Sequence, residues 1–345
     1  MQDQRVELRY LDLKNDICKH IYMGTYIDGG HIPSERQLAA DYNVSRITVR
    51  KALELMEEEQ LIRREVGNGT ILQYRNWGNP TMMDILTLVA PSKNPFFSRF
   101  IAHFQKIAWE QGALLLYVEV PENSSLEDCL FRLYERNIRN AVIWPDDQAL
   151  QSEKLLRLRS IGMNLVFFDT DDGLPYGDCV FLDNRAAIGK LLESMKNTCK
   201  KQVYIGWDKL EIANVRKRED AFRELAAGGL VIHVPWRRDR KILEADLEAL
   251  AAQLPAPEEA MILCGAGEIG QQLAAFLRER QRMPERMAVV DAFEGSEKYP
   301  VSIYEQDLCE MARIIYEQLK KQVREGSHWR AARIEVAGLY KQEEE

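Results

Sequence analysis

"ILCGAGEIGQQLAAF", Ile262 to Phe276, is an apolar strand-like run that turns through Gly265, Gly267 and Gly270 into a helical pattern. Its spacing is G-x-G-x-x-G between strand and helix, and the next apolar run, "MAVVDAF", places an acid at Asp291 about 20 residues on, where a dinucleotide fold has its ribose partner. Read as a nucleotide fingerprint, the stretch makes the chain an NAD-binding oxidoreductase. Read as a tight strand-to-helix turn, it is one unit of a larger α/β ligand-binding domain. Its neighbours decide between the two.

A chain of 345 residues is too long for one core of ordinary size and suggests two or three domains. The 46% hydrophobic and 29% charged fractions are those of a soluble globular protein. No apolar run approaches the roughly 20 residues of a membrane helix, and "MQDQRVELRYLDLK" lacks the apolar centre of a signal peptide, so a cytoplasmic location without a membrane partner is expected. Cys18, Cys129, Cys179, Cys199, Cys264 and Cys309 lie far apart with no C-x-x-C pair, and are expected to be buried free thiols. The histidines show no metal-ligand spacing, and neither a metal nor another cofactor is expected. The net charge of -8 opposes general adhesion to phosphate, so any contact with DNA must be local.

From Tyr10 to Met23 apolar residues recur at helical intervals, at Leu13, Ile17 and Ile21. After a loop marked by Gly29, Gly30 and Pro33, Ser34 stands three residues before Gln37 as a capping box and starts a short helix ending near Asn43. Ser45 caps the next helix, "SRITVRKALELMEEEQL". On it Val49, Ala52, Leu53 and Met56 face inward while Arg46 and Arg50 share another face. The acidic run Glu57 to Glu59 must point away from any DNA. Next, "LIRREVGNGTILQ" is two β-like runs joined through Asn68-Gly69, a hairpin signal. Helix, turn, helix and hairpin make a winged helix.

"IPSERQLAADYNVSRITVRKALELMEEEQLI" followed by "GNGT" resembles the DNA-binding domain of the GntR family of bacterial transcription regulators, over roughly residues 8 to 73. The resemblance implies that Arg36, Ser45, Arg46, Thr48 and Arg50 touch the DNA backbone or base edges, and that the wing at Gly69 and Thr70 lies along the minor groove. Asn68 departs from the family, which often has a basic residue there. Otherwise Arg46 and Arg50 are a solvated helix face.

"QYRNWGNPTMM" interrupts both periodicities, which places a linker at residues 74–83 between a domain at 1–73 and a second at 84–345. Beyond it, "ILTLVA", "LLLYVEV", "AVIW", "LVFFD", "QVYIGW", "LVIHV", "AMILC" and "MAVV" each precede a helical stretch or a loop, the pattern of repeated βαβ units with parallel sheets, long enough for two Rossmann-like lobes. The N-P-F-F segment, "FLDNRAAIGKLLESM", "NVRKREDAFREL" and "PVSIYEQDLCEMARIIYEQLKKQV" resemble the effector-binding domain of the LacI/GalR repressors, which shares the fold of type I periplasmic sugar-binding proteins, over about Asp84 to Leu339. The combination is similar to the arabinose-repressor type. In that comparison the "GAGEIG" segment comes after several βαβ units, facing the cleft between lobes, and its glycines serve a tight turn. The family's asparagine and aspartate at that place are absent.

Open α/β lobes bind ligands at the C-terminal ends of their strands. Candidate effector contacts there are Asn94, Phe96 and Phe97 after the first strand, Asp146 after "AVIW", Glu268 at the start of the helix following Gly267, Asp291 and Tyr304. Arg218 matches the family arginine that makes a bidentate contact with ligand hydroxyls or carboxylate, a geometry lysine cannot copy. The bland counterparts are a packed aromatic pair for Phe96 and Phe97, a solvated turn for Asp146, a helix-surface ion pair for Arg218 and core packing for Trp207 and Tyr304. The resemblance implies a homodimeric repressor on a pseudo-palindromic operator in double-stranded DNA, controlled by a sugar-like small molecule. Two alternatives stand beside it: a C-terminal domain that only dimerises, and the oxidoreductase, for which no acid/base pair or nucleophile set is present.

Overall fold

The computed structural model describes residues 2–65, 68–73, 83–91, 95–121, 123–145, 147–195 and 201–342, with residues 2–8, 95–97 and 342 described by their backbone alone. Asn94, Asp146, Cys199 and nearly all of the expected linker lie outside them. The N-terminal part holds α1 (Gln2–Tyr22), α2 (Glu35–Asp41), α3 (Arg46–Glu58) and an antiparallel wing of β1 (Ile62–Glu65) and β2 (Gly69–Leu72). Both expected caps form: Ser34 Oγ accepts the Gln37 N–H at 3.2 Å and Ser45 Oγ the Thr48 N–H at 3.1 Å. Asn43 turns the chain between α2 and α3 with φ 50. Val49, Ala52, Leu53 and Met56 are buried in one cluster with Leu13, Ile17 and Ile21 of α1. In the wing, Glu65 pairs with Gly69, so Gly69 (φ 86) is the first residue of β2 and not part of a two-residue turn.

The rest is two parallel-sheet lobes. One sheet holds β3 (Ile85–Val89), β4 (Leu114–Val118), β5 (Asn140–Ile143), β6 (Asn164–Phe168), β7 (Asp178–Leu182) and β13 (Arg333–Val336), in the order β13-β7-β6-β5-β3-β4. The other holds β8 (Lys201–Trp207), β9 (Leu230–Val234), β10 (Ala260–Cys264), β11 (Arg286–Val290), β12 (Val301–Glu305) and β14 (Leu339–Gln342), in the order β14-β12-β11-β10-β8-β9. The two orders match position by position, and among the described strands of the two lobes only β14, antiparallel to β12, breaks the parallel pattern. Every residue of β5, β6, β7 and β10 is buried, which is why apolar residues follow one another in them without alternation, after an opening Asn140, Asn164 or Asp178 in the first three.

Among the described residues eight α-helices flank the sheets: α4 (Pro95–Glu110), α5 (Leu126–Glu135), α6 (Ser152–Ser160), α7 (Asn184–Ser194), α8 (Ala213–Leu225), α9 (Glu244–Gln253), α10 (Gly267–Glu279) and α11 (Leu308–Glu325). The chain changes lobe three times. It crosses between β7 and α7, which packs on α8 and β12; again between β12 and α11, which packs on α4 and β6; and finally between β13 and β14. The last two strands carry no clear sequence signal, because both are short and β13 alternates charge with apolar residues.

The winged helix does not stand apart from the first lobe. Tyr22 of α1 stacks on Phe131 of α5 with ring centroids 4.5 Å apart, and its hydroxyl donates to Asp128 Oδ1 at 2.5 Å. Tyr134 donates its hydroxyl to Cys18 Sγ at 3.0 Å, and Asn15 Nδ2 donates to the Glu135 carbonyl at 3.3 Å. Residues of α1, α3, α5, α6 and the first sheet form a single apolar cluster. Burial pushes the Cys18 thiol up to about 11. Cys129, Cys179 and Cys264 are also buried and free, but Cys309 is exposed, against the expectation of burial.

Candidate functional site

The first candidate surface is built on α3. Its cap at Ser45 orients the first turn so that Arg46, Ile47 and Arg50 project outward while Thr48 and Val49 turn in. Arg46 has no carboxylate partner among the described residues. Arg50 is exposed and leans on Glu35 of α2, Nη2 to Oε2 3.3 Å. Arg36 is exposed on α2. Thr48 is 6% exposed and its hydroxyl lies 2.9 Å from Ser45 Oγ, so its place is inside the cap. Gly69 is exposed and Thr70 half-buried on the wing, where Asn68 Nδ2 donates to Glu65 Oε2 at 2.6 Å. The acids of the helix end are turned to other tasks: Glu59 pairs with Lys14, and Glu57 with Arg64 at 3.5 Å.

The second candidate is a cavity of about 440 Å³ between the lobes. Arg218, 6% exposed, is its centre. Its Nε donates to Asn184 Oδ1 at 2.9 Å, its Nη1 to the Gly265 carbonyl at 2.7 Å and its Nη2 to Asp291 Oδ2 at 3.3 Å. Burial works against the charge, but Asp291 and Asp169 outweigh it and the guanidinium is held more firmly protonated than usual. Asp169 and Asp291 follow β6 and β11, the same position in the two sheet orders, and both take left-handed backbone, φ 62 and 71. Left-handed aspartates at strand ends are a local strain of the sort found at binding sites. Asn214 Nδ2 donates to the Asp169 carbonyl, and Gln306 Nε2 to Asp291 Oδ2 at 3.2 Å. Trp144, Trp207 and Phe293 supply flat apolar wall, and Arg99, held by Glu305, closes one side.

Of the sequence candidates, Arg218, Glu268 and Asp291 meet in this cavity. Phe96 and Phe97 lie on the first turn of α4, where only the backbone is described. Tyr304 is corrected: it is buried in β12, its hydroxyl accepts the Gly338 N–H at 3.1 Å, and it does not line the cavity. Its ring belongs to the apolar core, which holds it away from the cleft. Residues not singled out from sequence are Trp144, Asp169, Asn184, Asn214 and Gln306. Asn184 was legible in the "DN" of "FLDNRAA", and Asp169 as the acid ending "LVFFD"; Gln306 had no signal, since its place depends on the crossing from β12 to α11.

The glycines of "GAGEIG" have a packing cause. A Cβ on Gly265 would stand 2.2 Å from the Tyr204 hydroxyl, one on Gly267 3.0 Å from the Asp291 carbonyl and one on Gly270 2.8 Å from Val289. Asp291 does sit beside the turn, just past the end of β11, the strand next to β10, but its carboxylate is already engaged by Arg218 and Gln306.

The chain joins a GntR-type winged helix to an α/β domain with the fold of the LacI-type repressors and periplasmic sugar-binding proteins. Residues 9–72 match the family "Bacterial regulatory proteins, gntR family". The uncharacterized HTH-type transcriptional regulator YurK of Bacillus subtilis (strain 168) is 48% identical over 65 residues, 19% of this chain and 26% of that protein. This chain therefore spans about a quarter of that relative's length. The trehalose repressor from Escherichia coli superposes with a TM-score of 0.61 at 15% identity, covering 75% of this chain and 100% of that one. The Cra transcriptional dual regulator from Pseudomonas putida in complex with fructose 1-phosphate superposes with a TM-score of 0.64 at 17% identity, over 76% and 100% of the two chains. No described helix is long and apolar enough to cross a membrane.

Proposed function

We propose that the protein is a sequence-specific DNA-binding transcription regulator, a cytoplasmic repressor, whose grip on its operator is set by a small molecule bound between the two lobes. The observation that carries this reading is the presence in one chain of a helix with outward Arg46 and Arg50 and an inter-lobe cavity floored by Arg218. Residues 1–73 bind DNA, with Arg36, Ser45, Arg46, Arg50, Gly69 and Thr70 as the contact set, Thr48 being buried against the cap and so taken out of it; 74–83 link; and 84–345 bind the effector and dimerise. Two winged helices in a homodimer suit a pseudo-palindromic operator. The effector is a sugar or sugar derivative: Arg218, Asp169, Asp291 and Asn214 offer converging donors and acceptors, and Trp144 and Trp207 offer faces for a ring. A chain of the same fold was seen with fructose 1-phosphate, and another is named a trehalose repressor. Against the oxidoreductase reading, the ribose partner it needs, Asp291, is already engaged by Arg218 and Gln306.

The test is fluorescence anisotropy of the full-length protein with labelled DNA flanking its own gene, at fixed salt, against a panel of sugars, sugar acids and sugar phosphates. Binding that one compound modulates supports the reading. Absence of specific binding to any flanking DNA sinks it, and binding that no compound alters sinks the effector half.

A further inference from the structure

Ile47 is the most exposed large hydrophobic side chain among the described residues, at 76%. It stands on the first turn of α3, where a polar residue would cost the fold nothing, since the inward positions are taken by Thr48, Val49, Ala52 and Leu53. Around it the surface is cationic: Arg46 precedes it, and Arg50 and Lys51 lie one turn on, both exposed. Lys51 is turned aside, its Nζ 4.3 Å from the centre of the Tyr10 ring, and Arg50 leans toward Glu35. Glu54, the acid on this face, is nearly two turns further along. The first turn of α3 thus presents a branched aliphatic group framed by positive charge.

Such a surface complements one feature of double-stranded DNA. The cations suit the phosphates and guanine edges that border the major groove, while the only apolar group displayed there is the C5-methyl of thymine. Resting on the DNA-binding reading above, we propose that Ile47 is a specificity-determining residue that packs on a thymine methyl in each half-site, next to the base pair that Arg46 reaches. The aliphatic side chain leaves water only in the complex and makes no hydrogen bond, so it discriminates T·A from the other pairs by the methyl alone. Ile47 is exposed and lies outside the apolar cluster of the domain, so its replacement is expected to leave folding intact.

The experiment starts with the full-length protein and a pool of randomised duplexes, from which the preferred site is selected with no operator assumed. Each thymine of that site is then replaced singly by deoxyuridine, which removes the methyl and keeps the pairing, and affinity is read by anisotropy at fixed salt. One position per half-site is expected to weaken binding about fourfold, the worth of one buried methyl. Ile47→Ala should lose that sensitivity and accept other pairs at the same position, while Ile47→Val keeps most of it. A selected site at which no deoxyuridine weakens the wild type overturns the proposal, as does the same sensitivity persisting in Ile47→Ala. A pool that yields no enriched site is a different failure, because it removes the DNA-binding reading itself.

Discussion

Arg218 shows how one side chain can organise a cleft. Its three donating nitrogens reach an asparagine, a carbonyl and a carboxylate from three different elements, a fork that the single ammonium of lysine cannot reproduce. Arg218→Lys is expected to weaken effector binding at least about tenfold with operator binding retained; titration calorimetry with the effector from the panel checks it, and unchanged affinity would take Arg218 out of the site. The arginine itself was visible in "NVRKRED", yet sequence alone could not choose between a cleft group and a surface ion pair, since neighbouring Arg216 and Lys217 look the same in one dimension. Burial separates them. On α3, Arg50→Ala should weaken operator binding by roughly 1 to 3 kcal/mol, the worth of one good base contact. The pairing of Arg50 with Glu35 must break or shift for that contact to form.

At the scale of an element, α3 is only as good a reader as its first turn is fixed. Ser45 supplies the cap, and Ser45→Ala is expected to cost about 1 kcal/mol of stability in urea unfolding. Operator affinity should fall with it, because Arg46 and Ile47 sit within the turn the cap orders. A variant with lowered stability and undisturbed affinity would mean that DNA itself orders the turn. Helix starts such as Ser34 and Ser45 were legible because capping is a local exchange between one side chain and the backbone three residues on. The central strands were legible for a similar reason: burial on both faces leaves an apolar run whatever the partners. Tyr304 shows the limit of that logic. Its chain position pointed to the cleft, but the turn of the strand put its ring in the core.

For the whole molecule, the packing of α1 on α5 makes the winged helix part of the first lobe's core rather than a tethered head. Removing the Phe131 ring, which is 5% exposed, is expected to cost about 3 kcal/mol and to split one thermal transition into two, seen by calorimetry. A single shifted transition would show that other contacts suffice to couple them. The lobes are pinned by charge: Lys217 Nζ lies 2.5 Å from Asp171 and Lys209 Nζ 3.0 Å from Asp147. Burial alone would raise the Asp171 carboxyl, but Lys217 and Arg333 outweigh it and hold it below the usual carboxylate range. Because the folded value is depressed, its stabilisation is complete above the unfolded value of about 4 and is lost as pH falls through the lower folded one. Wild type should therefore lose stability more steeply than Asp171→Asn on acidification below about pH 4, in urea titrations at stepped pH; parallel curves would remove the pair from the account. The winged helix and the repeated βαβ pattern could be read along the chain, because caps and apolar periodicity are written in neighbouring residues. Folding in three dimensions was needed to make "GAGEIG" a packing turn, to bring Gln306 into the cleft, to send β13 and β14 to different lobes and to dock α1 on α5. Each of these depends on surfaces distant in the chain meeting in space, where packing and partner charges choose among possibilities the local pattern leaves equal.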